Sequence, residues 1–251
     1  MDHWESQIGF NPATSLPVVV QCWCRFRGGL CRSVRRLCWI WSGVVTLCGG
    51  WKVIRRLIRL RNQIGSDALA DGFQETLWID SDVGFNPDDI EKVRRHGLPI
   101  VCGIYPRKGK RELAIHILWG TPSLRFGVNG GLHELLFGGT GFLHVRRNVY
   151  ETMIEKLSLP VCNQHANRPT WPFFQPLIRT APARTADKTE PRKGHWYLAE
   201  DYAFCHRARL CGIPIIADTT IRLWHVGDYS YSWEDAGIDR QRFGDFDFQF
   251  S

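Results

Sequence analysis

A short apolar strand that stops at two carboxylates constrains the fold of this chain more than any other feature. The run Leu77–Ile79 ends at Asp80 and Asp82, and 86–89 (Asn-Pro-Asp-Asp) follows at once. That second stretch is typical of a helix start, with an N-cap acceptor, Pro at the first helical position and acids in the first turn. In an open α/β sheet, ligands bind at the carboxyl ends of strands. We therefore expect Asp80 and Asp82 to lie at a ligand-binding edge.

The chemistry of this acidic pair suits a hard cation. No basic residue occurs between Glu75 and Lys92. Magnesium and manganese ions prefer oxygen ligands, and one or two carboxylates often suffice when phosphate oxygens and water complete the set. We predict that Asp80 and Asp82 hold Mn²⁺ or Mg²⁺ together with the phosphates of a substrate. The alternative is a pair of solvated loop acids.

Helical and strand patterns alternate along the rest of the chain. A helix from Pro87 to about Arg95 followed by the apolar run Pro99–Tyr105 is βαβ-like, which favours parallel strands. Further strands are predicted at 16–20, 114–119, 124–128, 132–137, 141–145 and 213–217, and further helices from 61 to 72, at 149–157 and from 200 towards 212. We expect an α/β fold with a mixed, mostly parallel central sheet flanked by helices.

The first sixty residues differ in composition from the remainder. The formal net charge is +7, yet no Asp or Glu occurs between Glu5 and Asp67, and that stretch carries nine Arg and one Lys. The basic character therefore belongs to this segment. We divide the chain into an irregular basic segment, 1–60, rich in Cys, Trp and Arg, and an α/β domain, 61–251.

An uncharged stretch within the basic segment suggests a membrane surface. Leu37–Trp51 is flanked by Arg and Lys but is shorter than the ~20 residues that span a bilayer. Peripheral membrane contact through residues 20–60 is one interpretation. The others are a partly buried basic part of the fold, or a stretch foreign to the native fold. We do not expect nucleic acid as a partner, because no recognisable nucleic-acid-binding motif is present.

The cysteines point to a reducing compartment. Five of the nine have irregular spacings that do not favour zinc: Cys22, Cys24, Cys31, Cys38 and Cys48. The other four are predicted to be reduced core residues: Cys102, Cys162, Cys205 and Cys211. An odd number argues against a complete disulfide framework, so we expect a cytoplasmic protein that can lie at the membrane surface.

Four motifs occur in a characteristic order. Arg61-Asn62 opens a helix before the acidic strand, and 80–82 (Asp-Ser-Asp) ends that strand. Later come 139–143 (Gly-Thr-Gly-Phe-Leu) with Arg146-Arg147, and 200–207 (Glu-Asp-Tyr-Ala-Phe-Cys-His-Arg). Over about residues 61–231 this set resembles the glycosyltransferases of the GT-A fold, especially bacterial family-2-like members. Residues 1–60, where that family has its first strand and nucleotide-base pocket, give no clear match.

The resemblance implies an activity and its residues. It implies metal-dependent transfer of a sugar from a nucleotide-diphospho-sugar to a hydroxyl of a glycan, lipid or protein. We expect inversion at the sugar, and retention is the alternative, because retaining GT-A enzymes share the Asp-x-Asp motif. Asp201 would be the general base and Glu200 would orient the acceptor, while His225 would complete a metal site with Asp80 and Asp82. The substrate contacts we expect are Arg61, Asn62, Asp80, Arg107, Lys108, Thr140 and Trp196.

Each of these assignments has a simpler alternative. Glu200 and Asp201 can merely complement a helix dipole, His225 can be an ordinary core residue, and the loop at Arg107 and Lys108 can be solvated. Residues 180–193 can be a lid or an irregular loop. Two other functions stay open: a nucleotidyltransferase-like or phosphoester-cleaving metal enzyme, and an inactive transferase-like module that binds membrane or nucleic acid through its basic N-terminus.

Overall fold

The computed structural model describes residues 18–23, 44–47, 54–110, 112–165, 169–182, 193–227, 229–236 and 246–250. The strands are β1 (Val18–Trp23), β2 (Val44–Leu47), β3 (Glu75–Ile79), β4 (Val83–Gly84), β5 (Ile100–Cys102), β6 (Ile115–Ile117), β7 (Ser123–Phe126), β8 (Leu132–Gly138), β9 (Phe142–Arg146), β10 (Leu177–Pro182), β11 (Lys193–Leu198), β12 (Ile215–Asp218), β13 (Trp224–Val226), β14 (Ser230–Tyr231) and β15 (Phe246–Gln249). The helices are α1 (Ile54–Ala70), α2 (Asp88–Arg95), α3 (Arg147–Leu157) and α4 (Glu200–Leu210), with a 3₁₀ turn at Trp233–Ala236.

The central sheet is mixed. Its order is β2-β1-β3-β9-β5-β12-β8-β6. Strand β1 pairs in parallel with β2 and β3, and β12 pairs in parallel with β5. Strand β9 is antiparallel to β3 and β5, and β8 is antiparallel to β12 and β6. The predicted mixed α/β fold with flanking helices is confirmed, but the expectation of a mostly parallel sheet was wrong, because antiparallel pairings outnumber parallel ones among the described strands.

One cause of the error is the position of β9. Strands β3 and β5 run in the same direction, as the helix between them requires, but they do not pair with each other. Strand β9 lies between them, with Phe142 opposite Ile79 and Leu143 opposite Cys102. A βαβ pattern in the local sequence cannot show that a later strand separates the two.

Both faces of the sheet are covered. On one face Trp78 packs with residues of α1, α3 and α4, and its indole nitrogen donates to the hydroxyl of Tyr150 at 3.0 Å. On the other face Leu77 and Ile79 pack with α2 and with Leu223. Strands buried on both faces are typically continuous apolar runs, which explains the run Leu77–Ile79 in β3.

The helix ends follow the sequence signals. Helix α1 is followed by Gly72 at φ +82°, and α2 is followed by Gly97 at φ +69°. Both are left-handed backbone positions that favour glycine. Helix α2 carries acids in its first turn and bases in its last, as the helix dipole favours.

The two described strands of the basic segment, β1 and β2, belong to the same sheet. Strand β1 overlaps the predicted strand 16–20, and α1 runs across residue 60. The separate assignment of residues 1–60 stays a prediction. Cys24, Cys31, Cys38, Cys48 and most of Leu37–Trp51 lie outside the described residues. Within the residues that are described, no helix is both long and apolar enough to cross a membrane.

The structure also tests the prediction that four cysteines lie in the core, and it describes the two ends of the predicted lid. Cys102, Cys205 and Cys211 are free and buried as predicted, but Cys162 is exposed, so its prediction as a core residue was wrong. It follows α3 in an irregular segment rather than a packed element.

The predicted lid, 180–193, has ends that belong to the antiparallel pair β10–β11, with Thr180 opposite His195. Its middle, 183–192, lies outside the described residues.

Candidate functional site

A small sheet beside the central one brings His225 to the acidic strand end. Strand β13 pairs antiparallel with β4, so that His225 lies opposite Val83. The amide of Val226 donates to the backbone carbonyl of Asp82 at 2.6 Å. As a result the Nε2 atom of His225 lies 3.6 Å from Oδ2 of Asp82. Two residues that the sequence analysis assigned to one metal site are therefore neighbours in the fold.

A backbone carbonyl on the side away from Asp82 fixes the orientation of the His225 ring. Its Nδ1 atom lies 2.8 Å from the carbonyl oxygen of Pro106. A carbonyl only accepts, so Nδ1 carries a hydrogen, and Nε2 is the ring nitrogen that faces Asp82. The ring of Tyr105 packs edge-on against the imidazole with centroids 5.2 Å apart. A backbone acceptor behind the ring is the usual support of a metal-binding histidine.

Asp82 is ionised and already has a cationic partner. The Nζ atom of Lys108 lies 2.6 Å from Oδ2 of Asp82. Burial acts to raise the pKa of Asp82, but His225 and Lys108 outweigh burial and lower this pKa to about 2. The position beside Asp82 therefore favours a positive charge, which the lysine supplies.

The pair fits a divalent ion whose other ligands come from elsewhere. Among the described residues, no group of three or more His, Cys, Asp or Glu side chains could hold a metal. Asp82 and His225 lie 3.6 Å apart, and two ligands each about 2.1 Å from one ion have a separation of this order. Ions of the Mg²⁺ type often take one or two protein ligands and complete their shell with phosphate oxygens and water. Asp80, in contrast, is turned towards Arg61.

Arg61 joins the strand end to helix α4. Its Nη2 atom lies 2.6 Å from Oδ1 of Asp80, and its Nη1 atom lies 3.0 Å from Oε1 of Glu200. The arginine side chain is only 3% exposed. Burial acts to lower the pKa of Arg61, but Asp80, Glu200 and Asp201 outweigh burial and raise it. Three carboxylates, two of which the sequence analysis assigned to catalysis, therefore surround one buried guanidinium.

Asp201 has a raised pKa. It lies in the first turn of α4, where Oδ1 accepts a hydrogen bond from the backbone amide of Tyr202 at 2.7 Å. Burial, followed by the charge of Glu200, raises the pKa of Asp201 to about 6. A carboxyl with a pKa near the working pH is suited to accept a proton from a substrate.

Tyr105 connects the two halves of the site, and the sequence analysis did not identify it. Its buried hydroxyl accepts a hydrogen bond from the amide of Gly141 at 3.0 Å. The carboxylates of Asp80 and Asp201 are close enough to act on its pKa, which burial chiefly raises. A Cβ atom at Gly141 would lie 2.6 Å from this hydroxyl. The closely spaced glycines around Thr140 were the available signal, since glycine in a strand often marks such an approach.

The other predicted substrate contacts have protein partners. The side-chain oxygen of Asn62 accepts from the amide of Phe174 at 2.7 Å, and Arg107 pairs with Glu112 at 2.9 Å. Thr140 is 2% exposed. The partly buried ring of Trp196 lies 6.2 Å from that of His116. Their roles in substrate binding stay predictions, whereas Asp80, Asp82, Arg61, Lys108, Glu200, Asp201 and His225 lie in one connected group.

A separate cleft of about 490 Å³ between α1 and α3 contains no member of this group. Arg147 lines it, but the guanidinium donates to the backbone carbonyls of Leu69 and Phe73 and to Glu151. The cleft is therefore explained by packing between the helices, and we place the candidate site at the Asp82 edge.

Comparison with known proteins adds little to this geometry. No protein-family model matches the chain, and no curated protein is significantly similar to it. Among solved structures, A197 from STIV aligns with 87% of this chain and 91% of its own, at 16% identity and a TM-score of 0.47. At this TM-score the similarity assigns neither a fold family nor an activity, so we infer the function from the site itself.

Proposed function

We propose that this chain is a metal-dependent glycosyltransferase of the GT-A type. It would transfer a sugar, with inversion, from a nucleotide-diphospho-sugar to an acceptor hydroxyl. One observation carries this proposal: Asp82 and His225, a pair that could bind a cation, are connected through Tyr105 to Asp201, a carboxyl with a pKa of about 6. Sugar transfer needs both groups at one centre, a cation at the departing diphosphate and a base at the acceptor.

The Asp82 side of the group suits the diphosphate. A divalent ion bound there would act as a Lewis acid on the phosphate oxygens of the leaving group. The chain's own contribution is Lys108, whose ammonium can turn from Asp82 to a phosphate oxygen over a short distance. Arg107 lies in the same loop and is more than half exposed, so it can reach an entering anion.

The α4 side suits the acceptor. Asp201 would take the proton of the attacking hydroxyl, and its pKa of about 6 leaves it ionised at neutral pH. Glu200 is held by Arg61 and would accept a hydrogen bond from the acceptor. Strand β11 leads directly into α4 and exposes 71% of Tyr197, an aromatic surface of the kind on which a sugar ring can stack.

A thermal-shift screen of nucleotide sugars, with Mn²⁺ or with a chelator, tests the proposal. Stabilisation should require donor and metal together, and a ligand at 100 times its Kd adds about 2.7 kcal/mol. Asp82→Asn should remove the metal-dependent part, while Asp88→Asn, at an exposed position of α2, should keep it. Any donor that stabilises the chain is then assayed for transfer and for product anomer. Equal stabilisation with metal and with chelator, or an unchanged response in Asp82→Asn, would contradict the proposal.

A further inference from the structure

Arg61 occupies a place in the site that its sequence motif does not explain. The motif suggested a substrate contact, yet both terminal nitrogens of the guanidinium face protein carboxylates at 2.6 and 3.0 Å. With 3% of its side chain exposed, little of the residue faces solvent. A planar guanidinium that binds two carboxylates at once fixes their separation and their relative orientation.

The two carboxylates belong to elements far apart in the chain. Asp80 follows β3, and its backbone amide donates to the carbonyl of Gly141 at 3.1 Å, which fixes the strand end. Glu200 opens α4, the helix that also carries Asp201. The arginine is therefore a direct connection between the donor edge of the sheet and the helix that would receive the acceptor.

The helix that carries Arg61 is itself held in place. Asn62, the residue that follows Arg61 in the helix, accepts a hydrogen bond from the backbone amide of Phe174 at 2.7 Å. The ring of Phe174 stacks on that of Phe204 in α4, with centroids 4.5 Å apart. Two contacts therefore connect α1 to the first two turns of α4: the ion pair of Arg61 with Glu200, and the hydrogen bond of Asn62 to Phe174, whose ring stacks on Phe204.

We infer that Arg61 is a positioning residue, which holds Asp80 and Glu200 in register so that Asp201 faces the reacting centre. This inference rests on the proposed function. The guanidinium binds Glu200 and not Asp201. Glu200 is therefore fixed in place and can bind the acceptor substrate, while Asp201 stays available to take its proton. Arg61 sets the distance between Asp80 and Glu200, and it does not bind the sugar donor.

Two variants and one control test this role. Arg61→Gln removes the charge, and Arg61→Lys keeps the charge but replaces the planar fork by a single point donor that cannot hold both carboxylates. Arg59→Gln changes an exposed arginine of the same helix. Each is compared with wild type by hydrogen exchange of the peptide spanning 199–205 and by steady-state transfer kinetics.

A positioning role predicts faster exchange at the start of α4 in both Arg61 variants and unchanged exchange in Arg59→Gln. It also predicts a kcat lowered about 100-fold with the donor KM within about threefold, since a misplacement near 1 Å costs this much. Unchanged exchange in α4 would overturn the inference. So would a donor KM that rises while kcat is kept, because that is the behaviour of a substrate ligand.

The design separates this inference from the proposed function. If wild type transfers no sugar, the proposed function fails, and hydrogen exchange still shows whether Arg61 holds α4. If Arg61→Gln does not fold, the double variant Arg61→Gln/Glu200→Gln removes one of the two carboxylate charges that the loss of Arg61 leaves uncompensated. In that background the inference requires the same faster exchange in α4, and slow exchange there would overturn it.

Discussion

Asp201 should destabilise the fold that it serves. Its pKa is about 6 in the folded chain, against an ordinary value of 3.8, because burial and the charge of Glu200 oppose its ionisation. Above pH 6 the folded chain must therefore hold a charge that the unfolded chain holds more easily. The difference between these pKa values corresponds to about 3 kcal/mol of unfolding free energy.

Asp201→Asn removes this cost. A group whose pKa is raised on folding lowers stability as pH rises from its unfolded pKa to its folded pKa, and the full cost is present above the latter. We expect Asp201→Asn to be more stable than wild type by about 3 kcal/mol at pH 7.5. The advantage should shrink between pH 6 and pH 4 and vanish below, where both states are protonated in wild type.

Urea unfolding of wild type and Asp201→Asn at pH 7.5, 6.0 and 5.0 measures this difference. Asp88→Asn, at an exposed position in the first turn of α2, serves as the control and should change stability by only a few tenths of a kcal/mol. The same Asp201→Asn protein should transfer no sugar at any pH. A variant no more stable than wild type at pH 7.5, or one whose advantage grows as pH falls, would refute the reasoning.

Three other substitutions give independent tests. Lys108→Met frees the carboxylate that its ammonium now occupies, so titration calorimetry with Mn²⁺ alone should show about tenfold tighter binding, while Lys110→Met should bind as wild type does. Tyr105→Phe leaves the amide of Gly141 without its hydroxyl acceptor and should lower the unfolding free energy in urea by about 1–3 kcal/mol. Glu75 has a lowered pKa, because its contacts with His144 and Arg94 outweigh burial. Glu75→Gln should therefore lose stability at pH 7, and this loss should fade as pH falls through the folded-state pKa of the wild-type carboxyl, as pH-dependent unfolding would show.

Local signals in the sequence predicted the individual elements well. The strand end at Asp80 and Asp82, the helix that begins at Asp88 and the helix that begins at Glu200 were all expected from periodicity, caps and glycines. Such features depend on neighbouring residues, which is why single-sequence reasoning can find them. His225 was predicted to share a metal site with Asp82, and the structure places the two side chains beside each other.

Contacts between distant elements were beyond the sequence. The position of β9 depends on which strand edges meet in space, and no local period records this. The ion pairs of Arg61 with Asp80 and Glu200 were not predicted, because Glu200 is far from Arg61 in the chain. The assignment of Arg61 as a substrate ligand stays a prediction. Tyr105 was missed because its part in the site comes from a hydrogen bond to Gly141, a residue of another strand.

The place of β9 also bears on how the chain assembles during synthesis. Strands β3 and β5 leave the ribosome before β9 does, and each has an edge that β9 covers in the described sheet. Until Phe142–Arg146 emerges, apolar strands with unpaired backbone groups are exposed to other chains, the condition under which nascent proteins need chaperones. A fragment that ends before Phe142 therefore contains the acidic strand end of the site but lacks the strand that would keep it soluble.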